Sequence, residues 1–197
     1  MELKVQPMGG TQTNCYIVTI DGKDIIIDPG TGATPWVIEN TTNPIAILNT
    51  HGHFDHIWSN SELKEKLKIP IYIPKDDAFM LQDDPLMQNP PKSEADVEVV
   101  GDAEFKIEGI KIKYIHMPGH TPGNSMIIIE DCCFSGDFIF ENSIGRVDFP
   151  FSNPTDMKKS IQKFLELKYD MKIYSGHGNP TTIKIEQARV GNWLNYI

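Results

Sequence analysis

Cysteine is scarce in this chain, basic charge is outweighed, and long apolar runs, repeats and low-complexity segments are missing. The three cysteines, Cys15, Cys132 and Cys133, form no CxxC spacing and no even set. That argues against a disulfide framework and for reduced thiols in the cytoplasm. Cys132 and Cys133 are neighbours in a strand-like run, so one is expected buried and the other partly exposed, with no metal or redox role. Lys and Arg total 18 against 27 Asp and Glu, for a net charge of −9. An acidic balance disfavours nucleic acid as a partner, because phosphate binding needs a basic face. The longest apolar runs, such as Ile25–Ile27 and Met126–Ile129, are far too short to span a bilayer. Met1–Gly10 lacks a basic region followed by an apolar run, so no signal peptide is read.

What is present suits a folded globular protein. The chain has 197 residues, 40% of them hydrophobic, and residues 1–197 read as a single domain. Val5–Met8, Asn14–Ile20 and Lys23–Asp28 are rich in β-branched residues, and Asp21-Gly22 marks a hairpin between the last two. A short helix is expected over Pro35–Asn40 with Thr34 as its cap, then a buried strand at Ile45–Thr50. Asp55–Lys68 reads as a helix with Ile57, Leu63 and Leu67 on its apolar face. Gln82–Val97, with three prolines and several acids, reads as a surface loop or lid. Strands are expected at Glu104–Glu108, Ile110–His116, Ser125–Glu130, Cys132–Gly136 and Lys172–Ser175, and helices at Thr155–Leu167 and Ile183–Leu194. Two β-rich halves that each end in helices suggest an α+β sandwich, with chemistry on loops along one edge.

The chemistry is concentrated at His51, His53, Asp55 and His56, four potential metal ligands in six residues. His51 and His53 can point the same way from an extended segment and bind one ion. Asp55 and His56 follow at once and must turn away, which suits a second ion. Gly52 lets the backbone bend between them. The helical HExxH pattern of other metal enzymes is not present. Further candidates stand beside glycines: His120 in the rigid loop Pro118–Gly123, Asp137 at the end of a strand, and His177 between Gly176 and Gly178. Asp137 can use both oxygens and so bridge two ions. His116 lies inside a strand and is expected to serve the core or to support another residue.

These residues resemble the metallo-β-lactamase fold superfamily, and within it the hydroxyacylglutathione hydrolase (glyoxalase II)-like branch in its small form, without the extra C-terminal helical region that holds glutathione. The resemblance covers nearly the whole chain: Ile27–Gly30, the HxHxDH run at 51–56, Pro118–Gly123, Gly136-Asp137, Gly145–Phe149 and Gly176–Gly178. It implies a four-layer αββα sandwich. It also implies one metal on His51, His53 and His120 and a second on Asp55, His56 and His177, with Asp137 bridging. Asp28 would support a ligand histidine from behind. Arg146 and Asp148 are read as an ion pair shaping their loop.

The expected reaction is hydrolysis of a small-molecule thioester, hydroxyacylglutathione-like, or a related activated ester. A hydroxide bridging two divalent ions, zinc or else iron or manganese, would be the nucleophile, since metal binding lowers the pKa of water to about 7. Asp55 would be the catalytic carboxylate, ligating and accepting a proton. Three enzymatic rivals stand beside it: a persulfide dioxygenase, for which the resemblance implies a single non-haem iron on His51, His120 and Asp137, a lactonase or β-lactamase, and a nuclease, which the acidic balance disfavours. A non-catalytic binding module is the remaining alternative, and seven convergent ligands argue against it. Spacing and composition say nothing of oligomeric state.

Overall fold

Uninterrupted runs such as Ile25-Ile26-Ile27 do not alternate with polar residues because both faces of their strands are covered. In the computed structural model, which describes residues 1–197, all three isoleucines are fully buried. Ile25 and Ile27 face a second sheet, and Ile26 faces helices on the other side. The first sheet runs β1 (Glu2–Met8), β2 (Thr13–Ile20), β3 (Lys23–Ile27), β4 (Pro44–Leu48), β5 (Ile71–Pro74) and β6 (Val97–Val99) in spatial order. β1 to β3 pair antiparallel, and β3 to β6 are parallel.

The second sheet holds β7 (Ala103–Ile107), β8 (Ile110–His116), β9 (Ser125–Ile129) and β10 (Cys132–Gly136) as an antiparallel meander. A two-stranded hairpin, β11 (Ile139–Phe140) and β12 (Ser143–Ile144), follows. β13 (Lys172–Ser175) then pairs parallel with β10, and β14 (Thr181–Thr182) closes the edge.

The sheets bury one core between them, from Tyr16, Val18 and Leu48 on one side to Tyr114, Ile127 and Phe134 on the other. On the outer face of the first sheet lie α1 (Ala33–Asn40) and α3 (Asn60–Leu67), through Val37 and Leu63. On the outer face of the second lie α4 (Pro154–Glu166) and α5 (Ile183–Val190), through Met157, Ile161, Phe164 and Ile183. Each such side chain contributes about 1.5–3 kcal/mol by burial. The expected αββα sandwich is the fold. No helix is long and apolar enough to cross a membrane.

Several local expectations are corrected. Asp55–Lys68 is two helices, α2 (Phe54–Ile57) and α3, because Ser59 is recruited elsewhere. Its N–H donates to Pro29 O at 3.0 Å and its hydroxyl to Gly30 O at 2.7 Å. Thr34 does not cap α1. The helix starts after Gly32 in a left-handed conformation (φ 79°), and Ser59 Oγ accepts from Ala33 N instead. The last helix ends at Val190 and gives way to a 3₁₀ turn over Gly191–Asn195. Cys132 and Cys133 are both buried, one in each core. β5, β6 (which takes Val97 from the expected loop), β14, the 3₁₀ turn Lys75–Leu81 and the β11–β12 hairpin have no counterpart in the sequence expectations.

Candidate metal centre

Four of the loops that leave strand carboxyl ends converge on one edge of the sandwich. β4 delivers His51 and His53, and α2 just beyond carries Asp55 and His56. β8 leads to the loop of His120, β10 ends before Asp137, and β13 ends before His177. Cross-strand bonds set their spacing. Ser125 N donates to Thr50 O at 2.9 Å, Gly176 N to Gly136 O at 2.8 Å, and Asn14 N to Gly176 O at 2.7 Å.

The converging atoms form two triads whose ligand atoms lie within 4.8 Å of one another: His51, His53 and His120, and Asp55, His56 and His177. Asp137 lies between them. Its Oδ1 is 3.3 Å from His56 Nε2, and its Oδ2 is 3.5 Å from His120 Nε2 and 3.3 Å from His177 Nε2. Asp28, His51 and His56 also lie close together. The oxygens of Asp28 are already engaged, however, by Thr50 N at 2.8 Å, Thr50 Oγ1 at 2.6 Å and His56 Nδ1 at 2.9 Å. Asp28 therefore orients His56 from behind. Nδ1 of His120 pairs with Arg146 O at 2.9 Å, and Nδ1 of His177 with Thr11 O at 3.1 Å. These contacts leave Nε2 of each ring turned inward.

Whether this cavity fits a metal is answered by its unpaired atoms. Nε2 of His51, His53, His56 and His120 and Oδ1 of Asp137 are buried with no hydrogen-bond partner. Each such orphan costs about 1–3 kcal/mol. Five in one cavity form a ready donor set for cations, with imidazole and carboxylate donors and no thiolate. The donors fit divalent metal.

Protonation divides the cluster. Burial pushes His51 well below the usual imidazole value, helped by the charge of His56. Burial likewise takes His53 down to about 3 and lowers His120. Burial also opposes a charge on His56, but Asp137, Asp55 and Asp28 together hold it well above the usual value. His177 is raised in the same way, chiefly by Asp137. Asp137 is itself buried, yet the charges on His56 and His177 hold it well below the usual carboxylate range.

A cavity of about 660 Å³ opens over the cluster. Phe54, Phe149, Leu86 and the β11–β12 residues Phe140 and Ile144 form its apolar walls, with Glu141, Arg146 and Asn179 among the polar groups. Leu86 comes from the 82–97 loop, whose turn is tied by Asp84. The Arg146 guanidinium forks onto Asp148 with two 2.8 Å bonds and lies 4.2 Å from the Phe149 ring centre. His116 lies apart, half-buried, with Nε2 2.9 Å from Pro122 O, bracing the loop that carries His120.

The pattern of the metallo-beta-lactamase superfamily matches residues 8–177. The chain belongs to this superfamily. Hydroxyacylglutathione hydrolase GloC of Haemophilus influenzae is 33% identical, with 99% of each chain covered. The structure of BLEG-1, a B3 metallo-beta-lactamase, has a TM-score of 0.86 at 33% identity, covering 95% of this chain and 97% of the other. TTHA1623, solved in a di-iron-bound form, has a TM-score of 0.83 at 29% identity, covering 94% and 98%. The superfamily is metal-dependent, and the His/Asp cluster is this chain's candidate metal centre.

All seven candidate ligands named from the sequence are brought together here. Two polar residues of the site were not. Thr13 Oγ1 donates to Asp55 Oδ2 at 2.6 Å, and Asp77 accepts from the loops of His51–His53 and His120. Nothing in the local sequence of either marks it, because each gains its role only when distant segments pair.

Proposed function

We propose that this protein is a metal-dependent hydrolase of a small thioester or related activated ester, in which the two triads and Asp137 would hold two divalent ions. The observation that carries the reading is the set of five orphaned donor atoms beside a largely apolar cavity of about 660 Å³. Bound divalent ions would supply Lewis-acid polarisation of a carbonyl and lower the pKa of a water to about 7.

The chain's own groups do the rest. Thr13 fixes Asp55 through Oδ2, the oxygen that faces His56 and His177, so that this carboxylate is held in place to orient the attacking water and take its proton. Asp28 holds His56, and the Arg146 carbonyl holds His120, so neither ring turns as charge develops. Phe54, Phe140 and Phe149 exclude bulk water from the acyl group, which strengthens those interactions. Likeness to GloC supports a thioester substrate. Three free buried thiols fit a reducing cytoplasm.

A second reading is ring opening of a lactam or lactone, and the likeness to BLEG-1 supports the lactam. Metal analysis of the purified protein, with hydrolysis assays on lactoylglutathione, a lactone and a β-lactam, decides between them. Two ions per chain and thioester turnover are expected. Preference for either ring would favour the second reading. One iron per chain with oxygen uptake on glutathione persulfide would replace both with a dioxygenase.

A further inference from the structure

The buried side chain of Asp77 has no cation near it and touches no candidate ligand, yet both of its oxygens are occupied. Oδ2 accepts from Gly52 N at 2.9 Å and from Thr121 Oγ1 at 2.6 Å, and Oδ1 accepts from Gly123 N at 2.6 Å. Gly52 lies between His51 and His53, and Thr121 follows His120. One carboxylate therefore bonds both loops that build the all-imidazole triad. Burial pushes its carboxyl up to about 6 against the pull of these donors, so a charge there is costly to maintain.

The backbone around it is shaped to admit that carboxylate. A Cβ on Gly52 would lie 2.9 Å from Asp77 O and 2.8 Å from Met80 Cβ, and one on Gly123 would lie 2.7 Å from Asp77 Cγ. Both loops thus press against the 3₁₀ turn that carries Asp77, where a methyl group would force them apart. The second triad has other supports: Thr13 for Asp55, Asp28 for His56 and the Thr11 carbonyl for His177.

We infer that Asp77 is the positioning residue of one metal site, setting the separation of His51 and His53 from His120 and hence the affinity of that triad for its ion. The inference rests on the two-ion reading above. Its logic is geometric: the His53 and His120 rings meet edge to face across the two loops at 4.6 Å between centres, and no ligand bonds directly across that gap. An amide in place of the carboxylate would turn an N–H toward Gly52 N, Thr121 Oγ1 or Gly123 N, and would spread the loops.

The test is zinc titration of the metal-free chain against a chromophoric chelator, for wild type and Asp77→Asn, with cobalt(II) absorption to report each site's geometry. Asp77→Asn is expected to weaken one ion at least tenfold, leave the other unchanged, and alter the cobalt spectrum of one site only. Should Asp77→Asn lose its circular dichroism, Thr121→Val decides: one ion weakened at least threefold, restored in Thr121→Ser. Two ions held as tightly as in wild type, or both weakened alike, would overturn the inference while leaving the two-ion reading intact. A wild-type chain that binds no zinc would overturn both.

Discussion

The two halves of the metal cluster are built from different chemistry although they share a cavity. One is three imidazoles, His51, His53 and His120, all pushed by burial toward the neutral form. The other mixes Asp55 with His56 and His177, and neighbouring carboxylates raise both histidines despite burial. The first half is ready to ligate at neutral pH. The second favours the proton at two of its rings, and a metal would compete with it there. Like residues thus behave oppositely because of where Asp28, Asp55 and Asp137 lie.

The largest expected effect comes from stripping both halves together. Exhaustive chelation is expected to lower ester hydrolysis at least ~1000-fold, with recovery on zinc addition, since the nucleophile depends on the ions. Activity insensitive to chelation would remove the basis for comparing the halves at all.

Asp55→Asn acts on the second half alone. It is expected to fold as wild type and lose about 10²–10⁴ in kcat, the range for a positioned acid–base group. An unchanged kcat measured at saturating zinc would mean that Asp55 takes no proton.

Proton counting sharpens the contrast directly. In titration calorimetry across buffers of different ionisation enthalpy, the ion entering the second half is expected to release protons from His56 and His177. The ion entering the first half releases none near neutral pH. The sign follows from the raised values: below them the rings are protonated and compete with metal, so second-half affinity falls as pH drops, by about tenfold per pH unit for each proton displaced. First-half affinity persists to lower pH, because its histidines charge only below the usual imidazole value. Equal proton release from both ions would erase the distinction.

Smaller effects test the supports. Thr13→Val removes the hydroxyl bonded to Asp55 Oδ2 and is expected to lower kcat about tenfold with zinc content unchanged. Loss of zinc there would make Thr13 a metal-site prop. Arg146→Ala should change kcat/KM less than about threefold, because its ion pair with Asp148 is solvent-exposed. A larger drop for anionic thioesters would make Arg146 a substrate contact.

Much of this is legible in the sequence. The convergence of the candidate ligands could be anticipated because the chain clusters its histidines at the spacing of one extended segment and one turn, and sets the others beside glycines. Most strands could be read from β-branched runs. Two of the misreadings share one cause, a tertiary bond overriding local propensity. Ser59 left the helical path for Pro29 and Gly30, and Thr34 lost the capping role to that same serine. The β11–β12 hairpin was too short to signal itself, though its Phe140 and Ile144 line the cavity.

The sequence by itself determined which atoms are available and the class of metal they suit, since donor type and spacing are local properties. Only the tertiary structure decided which histidines are pushed toward the proton and which away from it, because that depends on carboxylates and burial contributed by distant segments. It likewise decided that Thr13 and Asp77 matter at all, since a hydrogen bond between remote loops has no trace in local order along the chain.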